Sequence, residues 1–396
     1  MTHHSTDPPP FSIVGIGASA GGIEALQVLF EALPEQLGVA FVVVVHLDPE
    51  HRSDLAPILA RKTRMSVEEV SGTVPLKADH VYVIPPDRRL QITDTGVGAF
   101  PFEQPRGQRS PIDLFFRSLA GQYGDGFAVI LTGGGSDGAV GVKAVKEQGG
   151  LILVQDPKEA AFDGMPRAAI ATGVADLVLP VRDLAHRLVE LIHSKQRIRQ
   201  TLEAPKRLKD EDEAALGRIL AHLHARTGHD FSKYKRTTVL RRLARWMQVH
   251  RKETLGDYLA FMRHNAEEAQ ALFDELLISV TTFFRDPPAW EALREQVIHP
   301  LFEGQAPDVP LRAWVPGCAT GEEAYSLAIL LLEEARRRSV WPEIQVFATD
   351  LDDGALATAR EGRYPAAIEA DLSEERLRQF FRREDEHYRV TVEVRD

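Results

Sequence analysis

The chain has 396 residues, 44% hydrophobic and 27% charged, the composition of an ordinary soluble globular protein with room for two or three domains. A net charge of −11 disfavours general polyanion binding unless basic residues gather locally, and a single cysteine, Cys318, excludes an internal disulfide. The N-terminus MTHHSTDPPP lacks the charged and apolar regions of a signal peptide, and no apolar run nears the roughly 20 residues of a membrane helix, so a reducing cytoplasm and no membrane insertion are expected.

Over residues 11–193, short apolar runs alternate with helical patterns: Ser12–Ile16, Phe41–Val45, Val81–Ile84, Phe127–Leu131, Leu151–Val154 and Leu177–Leu179 read as strands. The alternation predicts an α/β domain, a doubly wound parallel sheet with helices on both faces. Ile23, Leu26, Phe30 and Leu33 mark the apolar stripe of the first helix, which Pro34 closes. Residues 194–213 are almost wholly polar and read as a charged, partly helical linker where domains part. Residues 214–290 show helical periodicity alone, with Val239, Leu240, Leu243, Trp246 and Met247 on one face, and predict a small all-α domain. Residues 291–396 open a Rossmann-like sheet: strand Leu311–Val315, a glycine turn, helix Ala324–Ala335 and strand Ile344–Ala348. The chain stops at Asp396 inside a strand-like stretch, HYRVTVEVRD, so this third domain is expected to be incomplete.

The stretch SIVGIGASAGGIEAL (residues 12–26) fits two motifs. Gly15, Gly17 and Ala20 space out as a dinucleotide-binding turn, whereas Gly17, Ser19 and Gly21 space out as an elbow presenting a nucleophilic serine. A dinucleotide fold needs a carboxylate at the end of its second strand, but Phe41–Val45 ends in His46, the group a weakly nucleophilic serine needs as general base. Asp48 nearby keeps the nucleotide reading open, and His51 or His80 are alternative bases. LTGGGSDGAVG (residues 131–141) supplies Asp137 as the acid that would fix the imidazole tautomer, and backbone amides around Ala20 to Gly22 offer part of an oxyanion hole. Each residue also has a plainer role: Ser19 as a helix cap, His46 as a strand-end polar group, Asp137 as a turn residue.

Lys233, Lys235, Arg236, Arg241, Arg242, Arg245, Arg251 and Lys252 lie between Ser232 and Lys252 with no carboxylate among them. Arg241, Arg245 and Lys252 share a helical face, which suits an acidic protein helix better than nucleic acid, because interleaved aromatics are lacking; a solvated basic face is the plain alternative. The turn VPGCATGEEAYS (residues 315–326) followed by strand-end Asp350 suits an adenosyl group, without separating a nicotinamide nucleotide from S-adenosylmethionine. No metal-ligand pattern is expected.

IGASAGGIEAL, VVVVHLDP, VYVIPPD, LTGGGSDGAVGVKAVKEQGG and AAFDGMPRAAIATG, in order, resemble the catalytic domain of the chemotaxis protein-glutamate methylesterase CheB. The resemblance implies a triad of Ser19, His46 and Asp137 that hydrolyses glutamate γ-methyl esters on chemoreceptor helices without a cofactor, releasing methanol; some relatives also deamidate glutamine. Ala20 and Gly134 stand where the family usually has threonine and methionine, and the usual receiver domain is not expected ahead of Phe11. From residue 213 onward, the basic helix, TTFFRD, GCATGEEAYSLA and FATDLDDGALATAREGRYP resemble the receptor methyltransferase CheR. This implies S-adenosylmethionine contacts from Ser279, Thr281, Arg285, Glu323 and Asp350, and an acidic acceptor helix facing Arg241, Arg242 and Arg245. Ser279 replaces the asparagine common in that family, and a later adenine-contacting segment would lie beyond Asp396, so weak or absent transfer is expected. The expectation is thus a fused receptor-modifying enzyme; a non-catalytic scaffold binding acidic receptor helices or related sensory proteins, and a nicotinamide oxidoreductase, are the alternatives.

Overall fold

The computed structural model describes residues 11–102, 109–202, 210–277, 280–303, 309–385 and 387–395. The chain forms two compact units, Met1–Ile278 and Ser279–Asp396.

The first unit begins β1 (Ile13–Ala18), α1 (Gly22–Ala32), β2 (Ala40–Val45), α2 (Leu55–Ala60), β3 (Ser66–Glu69), β4 (Thr73–Val74), β5 (His80–Val83), β6 (Arg89–Thr93) and β7 (Gly96–Phe100). It continues α3 (Pro111–Tyr123), β8 (Phe127–Ile130), α4 (Ala139–Glu147), β9 (Leu151–Gln155), α5 (Gly164–Ala171), β10 (Leu177–Leu179) and α6 (Val181–Leu202). Seven strands pair in parallel in the order β10-β9-β8-β1-β2-β5-β3, and β4-β7-β6 form a small antiparallel sheet that the sequence reading did not anticipate. Because β1 and β2 are buried along their whole length, their sequences run continuously apolar rather than alternating. Helix α1 packs with α2 and α6, whereas α3 packs on β1, β2 and α4, and α4 packs on α5. Ile23, expected in the buried stripe of α1, is 40% exposed; Ala25 and Leu29 join Leu26 and Phe30 instead.

The glycine spacing in β1 reflects packing. A methyl group at Gly15 would meet Phe115 at 2.6 Å and one at Gly17 would meet Ile112 at 2.5 Å, so α3 lies against bare backbone there. That accounts for both glycines without a dinucleotide.

Helices α7 (Asp210–Thr227), α8 (Arg236–Val249), α9 (Leu255–His264) and α10 (Glu268–Leu277) enclose a core that includes Ile219, Leu243, Met247, Tyr258 and Leu272. Helix α6 continues to Leu202, through the first part of the expected linker, and packs on both α1 and α8. The helical module falls in the same compact unit as the sheet, and the second unit begins at Ser279. Phe283 and Phe284, inside the stretch 214–290 read as the all-α domain, are buried in the core of the second unit.

The second unit contains α11 (Pro287–Leu293), a π-helical turn at Arg294–Ile298, α12 (His299–Glu303), β11 (Leu311–Pro316), α13 (Glu322–Arg338), β12 (Ile344–Thr349) and α14 (Asp353–Glu361). After these come β13 (Arg363–Pro365), a 3-10 turn at Ala366–Ala370, α15 (Glu374–Phe380), β14 (Phe381–Glu384), β15 (His387–Val390) and α16 (Val392–Arg395). Strands β11 and β12 pair in parallel with Trp314 opposite Phe347, and both side chains are exposed. The strand expected through HYRVTVEVRD ends at Val390: the Thr391 amide donates to the Phe380 carbonyl, and the amides of Val394 and Arg395 donate to the Thr391 carbonyl, turning the chain into α16. Among the described residues, no helix is long and apolar enough to cross a membrane.

Candidate active site

Three strand-end loops of the seven-stranded sheet meet. Ser19 follows β1 and is fixed by its amide, which donates to the Thr132 carbonyl at 2.9 Å; the Gly22 amide then donates back to the Ser19 carbonyl at 2.8 Å, closing a tight turn into α1. Gly21 caps α1 with φ of 72°, a left-handed conformation that suits glycine. The Ser19 hydroxyl lies 3.0 Å from His46 Nδ1, and His46 Nε2 lies 2.8 Å from Asp137 Oδ2. An ionised carboxylate only accepts hydrogen bonds, so Asp137 selects the imidazole tautomer with its proton on Nε2 and leaves the Nδ1 lone pair for the serine hydroxyl. The Asp137 side chain is 7% exposed, and that of His46 37%.

Asp137 is held from its other side by the first turn of α3. Its Oδ2 accepts from the Ile112 amide at 3.0 Å and its Oδ1 from the Asp113 amide at 2.9 Å, both at the N-terminus of that helix. Asp113, beneath it, is pushed well above the usual carboxylate range, chiefly by burial and then by repulsion from Asp137; its Oδ1 accepts from the Gly141 amide at 2.6 Å. The alternative bases lie elsewhere: His51 pairs with Asp48 at the exposed surface, and His80 Nδ1 lies against the Ala78 carbonyl.

The sequence reading assigned no role to Thr132, Gln155, Phe162 or Met165. Thr132 donates its amide to Gln155 Oε1 at 2.8 Å, and its hydroxyl accepts from the Phe162 amide at 2.9 Å and lies 3.1 Å from the Ala20 carbonyl. A methyl group at Gly133 would meet Met165 Sδ at 2.2 Å and Ser19 Cβ at 2.8 Å, so that glycine lets the loop press against the serine. Gly134, where the family pattern has methionine, faces open space. The signal available was Thr132 at the end of an apolar strand; its partners come from far along the chain.

In the second unit, Asp350 closes the turn between β11 and α13: Oδ2 accepts from the Ala319 amide at 2.8 Å and Oδ1 from the Asp352 amide at 2.9 Å. Gly317, Ala319 and Gly321 have positive φ, and nothing lies within 4 Å of a methyl group built at Gly317. Tyr364 ties this turn to TTFFRD, donating to the Thr320 carbonyl at 2.7 Å while Phe283 packs edge-on against its ring. Burial pushes the Tyr364 phenol far up, so it stays a donor. Thr281 is buried, whereas Arg285 and Glu323 are exposed, and among the described residues no hydrogen bond joins these three to Asp350. Ser279 lies outside the described residues.

The basic helix departs from expectation. Arg245 is 1% exposed and pairs with Asp176 and Glu275 instead of facing solvent, because α8 packs onto the sheet domain. Arg242 donates to the Leu276 carbonyl, and Arg241 lies along Gly149. Among the described residues, no cluster of metal-ligating side chains occurs.

Comparison with known proteins places three family models on the chain: CheB methylesterase over residues 14–188, the all-alpha domain of CheR methyltransferase over 214–277, and the SAM binding domain of CheR methyltransferase over 279–396. A putative protein-glutamate methylesterase/protein-glutamine glutaminase of Leptospira interrogans is 36% identical over 46% of this chain and 95% of its own length. An uncharacterized 104.1 kDa protein of Rhodobacter capsulatus is 38% identical over 86% of this chain, which spans only 38% of that relative. The CheB methylesterase catalytic domain of Thermotoga maritima aligns with 32% identity over 46% of this chain and 98% of its own, with a TM-score of 0.44.

Proposed function

We infer the chemistry from one premise: the chain belongs to the CheB methylesterase family and carries both CheR domains behind it. The first domain is a serine esterase acting on glutamate γ-methyl esters of chemoreceptor helices or related sensory proteins. The observation that carries this reading is the unbroken line Ser19–His46–Asp137. His46 Nδ1 takes the hydroxyl proton as Ser19 Oγ attacks the ester carbonyl, and Asp137 stabilises the imidazolium that forms. Collapse of the tetrahedral intermediate breaks the C–O bond, and His46 returns the proton to the departing methoxide, releasing methanol. Water, deprotonated by the same imidazole, then frees the glutamate. The amides of Ala20 and Gly21, at the N-terminal end of α1, are assigned to the developing oxyanion. The same acyl chemistry on a glutamine amide would expel ammonia, so deamidation belongs to this proposal.

The second activity is methylation of receptor glutamates. The residues of the β11–α13 turn fit an adenosyl donor: backbone left open at Gly317, and a carboxylate at Asp350 whose oxygens keep lone pairs for ribose hydroxyls. S-adenosylmethionine, when bound, supplies the activated methyl group. Asp350, Glu323, Thr281 and Arg285 would hold it, and an acceptor glutamate, already ionised at neutral pH, needs positioning rather than a base. Arg241 and Arg242 are assigned to the acidic acceptor helix; Arg245 is withdrawn from that role because its partners are internal. A cytoplasmic setting suits both substrates.

The test is methanol release from a methylated receptor. Ser19→Ala should lower it by at least about 1,000-fold with folding intact; release persisting in that variant would refute the triad.

A further inference from the structure

The helix assigned to the methyl acceptor is covered. A methyl group at Gly149 would meet Arg241 Cγ and Cδ at 3.2 Å, and Arg245 donates Nε to the Gly150 carbonyl at 2.9 Å while its terminal nitrogens pair with Asp176 and Glu275. Burial holds the Arg242 guanidinium below its ordinary value, with the carboxylate of Glu275 opposing it. Lys146 completes the junction, 2.9 Å from Asp176 and 3.3 Å from Glu275. Arg187 of α6 donates to the Gln248 and Val249 carbonyls, fixing the far end of α8. Lys146, Glu147, Gly149, Gly150 and Asp176 belong to the esterase domain, and Arg241, Arg242, Arg245 and Glu275 to the helical module.

Two cations and two carboxylates thus neutralise one another inside the joint. Burial pushes the Asp176 carboxyl up, but Arg245 and Lys146 outweigh it and hold it below its ordinary value. Such a joint is strong while every partner is present, yet opening it rehydrates four charges and recovers much of what their mutual attraction contributed. An apolar core offers no comparable route to separation. The acidic group of the esterase domain that α8 meets here, Asp176, is also of the kind an acidic acceptor helix would present.

We propose that the esterase domain is an intramolecular cover for α8, so that an acidic acceptor helix reaches Arg241 and Arg242 only when the joint at Arg245 opens. The proposal rests on the reading of α8 as the acceptor-binding helix. It makes the two activities interdependent, since the demethylating domain occludes the docking face of the methylating half.

Lys146→Glu tests it from the esterase side without altering α8, by placing a third carboxylate beside Asp176 and Glu275. In the unmodified chain, α8 amides should exchange with deuterium as slowly as those of the sheet, and a fluorescent synthetic helix bearing glutamates on one face should bind weakly. In Lys146→Glu, methanol release should be unchanged, α8 exchange faster, and affinity for the probe higher by about tenfold or more, reflecting a larger open fraction. If Lys146→Glu does not fold, Asp176→Asn serves, since it keeps an acceptor for the Ile152 amide while removing one charge; it should shift both readouts the same way, by less. Rapid α8 exchange in the unmodified chain, or folded variants with unchanged exchange and affinity, would overturn the cover. Faster exchange with no gain in affinity would overturn the acceptor reading of α8, and the proposal with it.

Discussion

The broad sheet of the first unit and the two-stranded pair of the second each place an aspartate beside a glycine-rich turn, and they use it differently. The Asp137 side chain is nearly covered and takes hydrogen bonds from His46 and from the start of α3, groups delivered by distant parts of the chain. Asp350 takes hydrogen bonds from Ala319 and Asp352, at its own strand end and in the adjoining turn. A wide parallel sheet brings several strand ends together, so its carboxylate orients another side chain. Asp350 instead shapes its own loop through the Ala319 and Asp352 amides.

The same substitution at both positions exposes the contrast. Asp137→Asn should lower methanol release by about 10,000-fold, because an amide no longer selects the required tautomer, while thermal unfolding changes little; steady-state kinetics decide it, and a small loss would mean that Asp137 is structural. Asp350→Asn should weaken S-adenosylmethionine binding by about 10- to 100-fold, the worth of hydrogen bonds to a charged group, measured by calorimetry. Loops differ as the carboxylates do. Gly133→Ala should cost about 1–3 kcal/mol in denaturant unfolding through overpacking against Met165 and Ser19, whereas Gly134→Ala, facing open space, should stay within about 0.5 kcal/mol. Unequal activity with equal stability would show that Gly134 touches substrate.

The smallest effect concerns Asp113. Its raised value means that the folded state keeps a proton the unfolded chain releases, so its contribution is most favourable below the ordinary carboxylate range and is lost as pH rises above it. Asp113→Asn keeps an acceptor for Gly141 and removes this dependence; it should melt above the parent at pH 8 and level with it near pH 4.

Much of this was legible in sequence. Each of the six runs read as strands in residues 11–193 lies on a strand of the parallel sheet, and all but the edge strand β10 are largely buried and so are written as continuous apolar runs. Ser19, His46 and Asp137 were named from motif and spacing, and the structure brings them together. What escaped depends on tertiary contact. Arg245 sits on a helix whose charges suggest solvent, yet its partners are Asp176, 69 residues earlier, and Glu275, 30 residues later. Phe283 follows a helical module in sequence and packs in the next unit, and after Val390 the amides of Val394 and Arg395 bond back to the Thr391 carbonyl, so the alternation there is folded into α16.

The four tryptophans of this chain, Trp246, Trp290, Trp314 and Trp341, all lie beyond the esterase domain. Indole emission therefore comes from Trp246 on α8 and from Trp290, Trp314 and Trp341 of the second unit, and it follows those parts of the molecule rather than the triad.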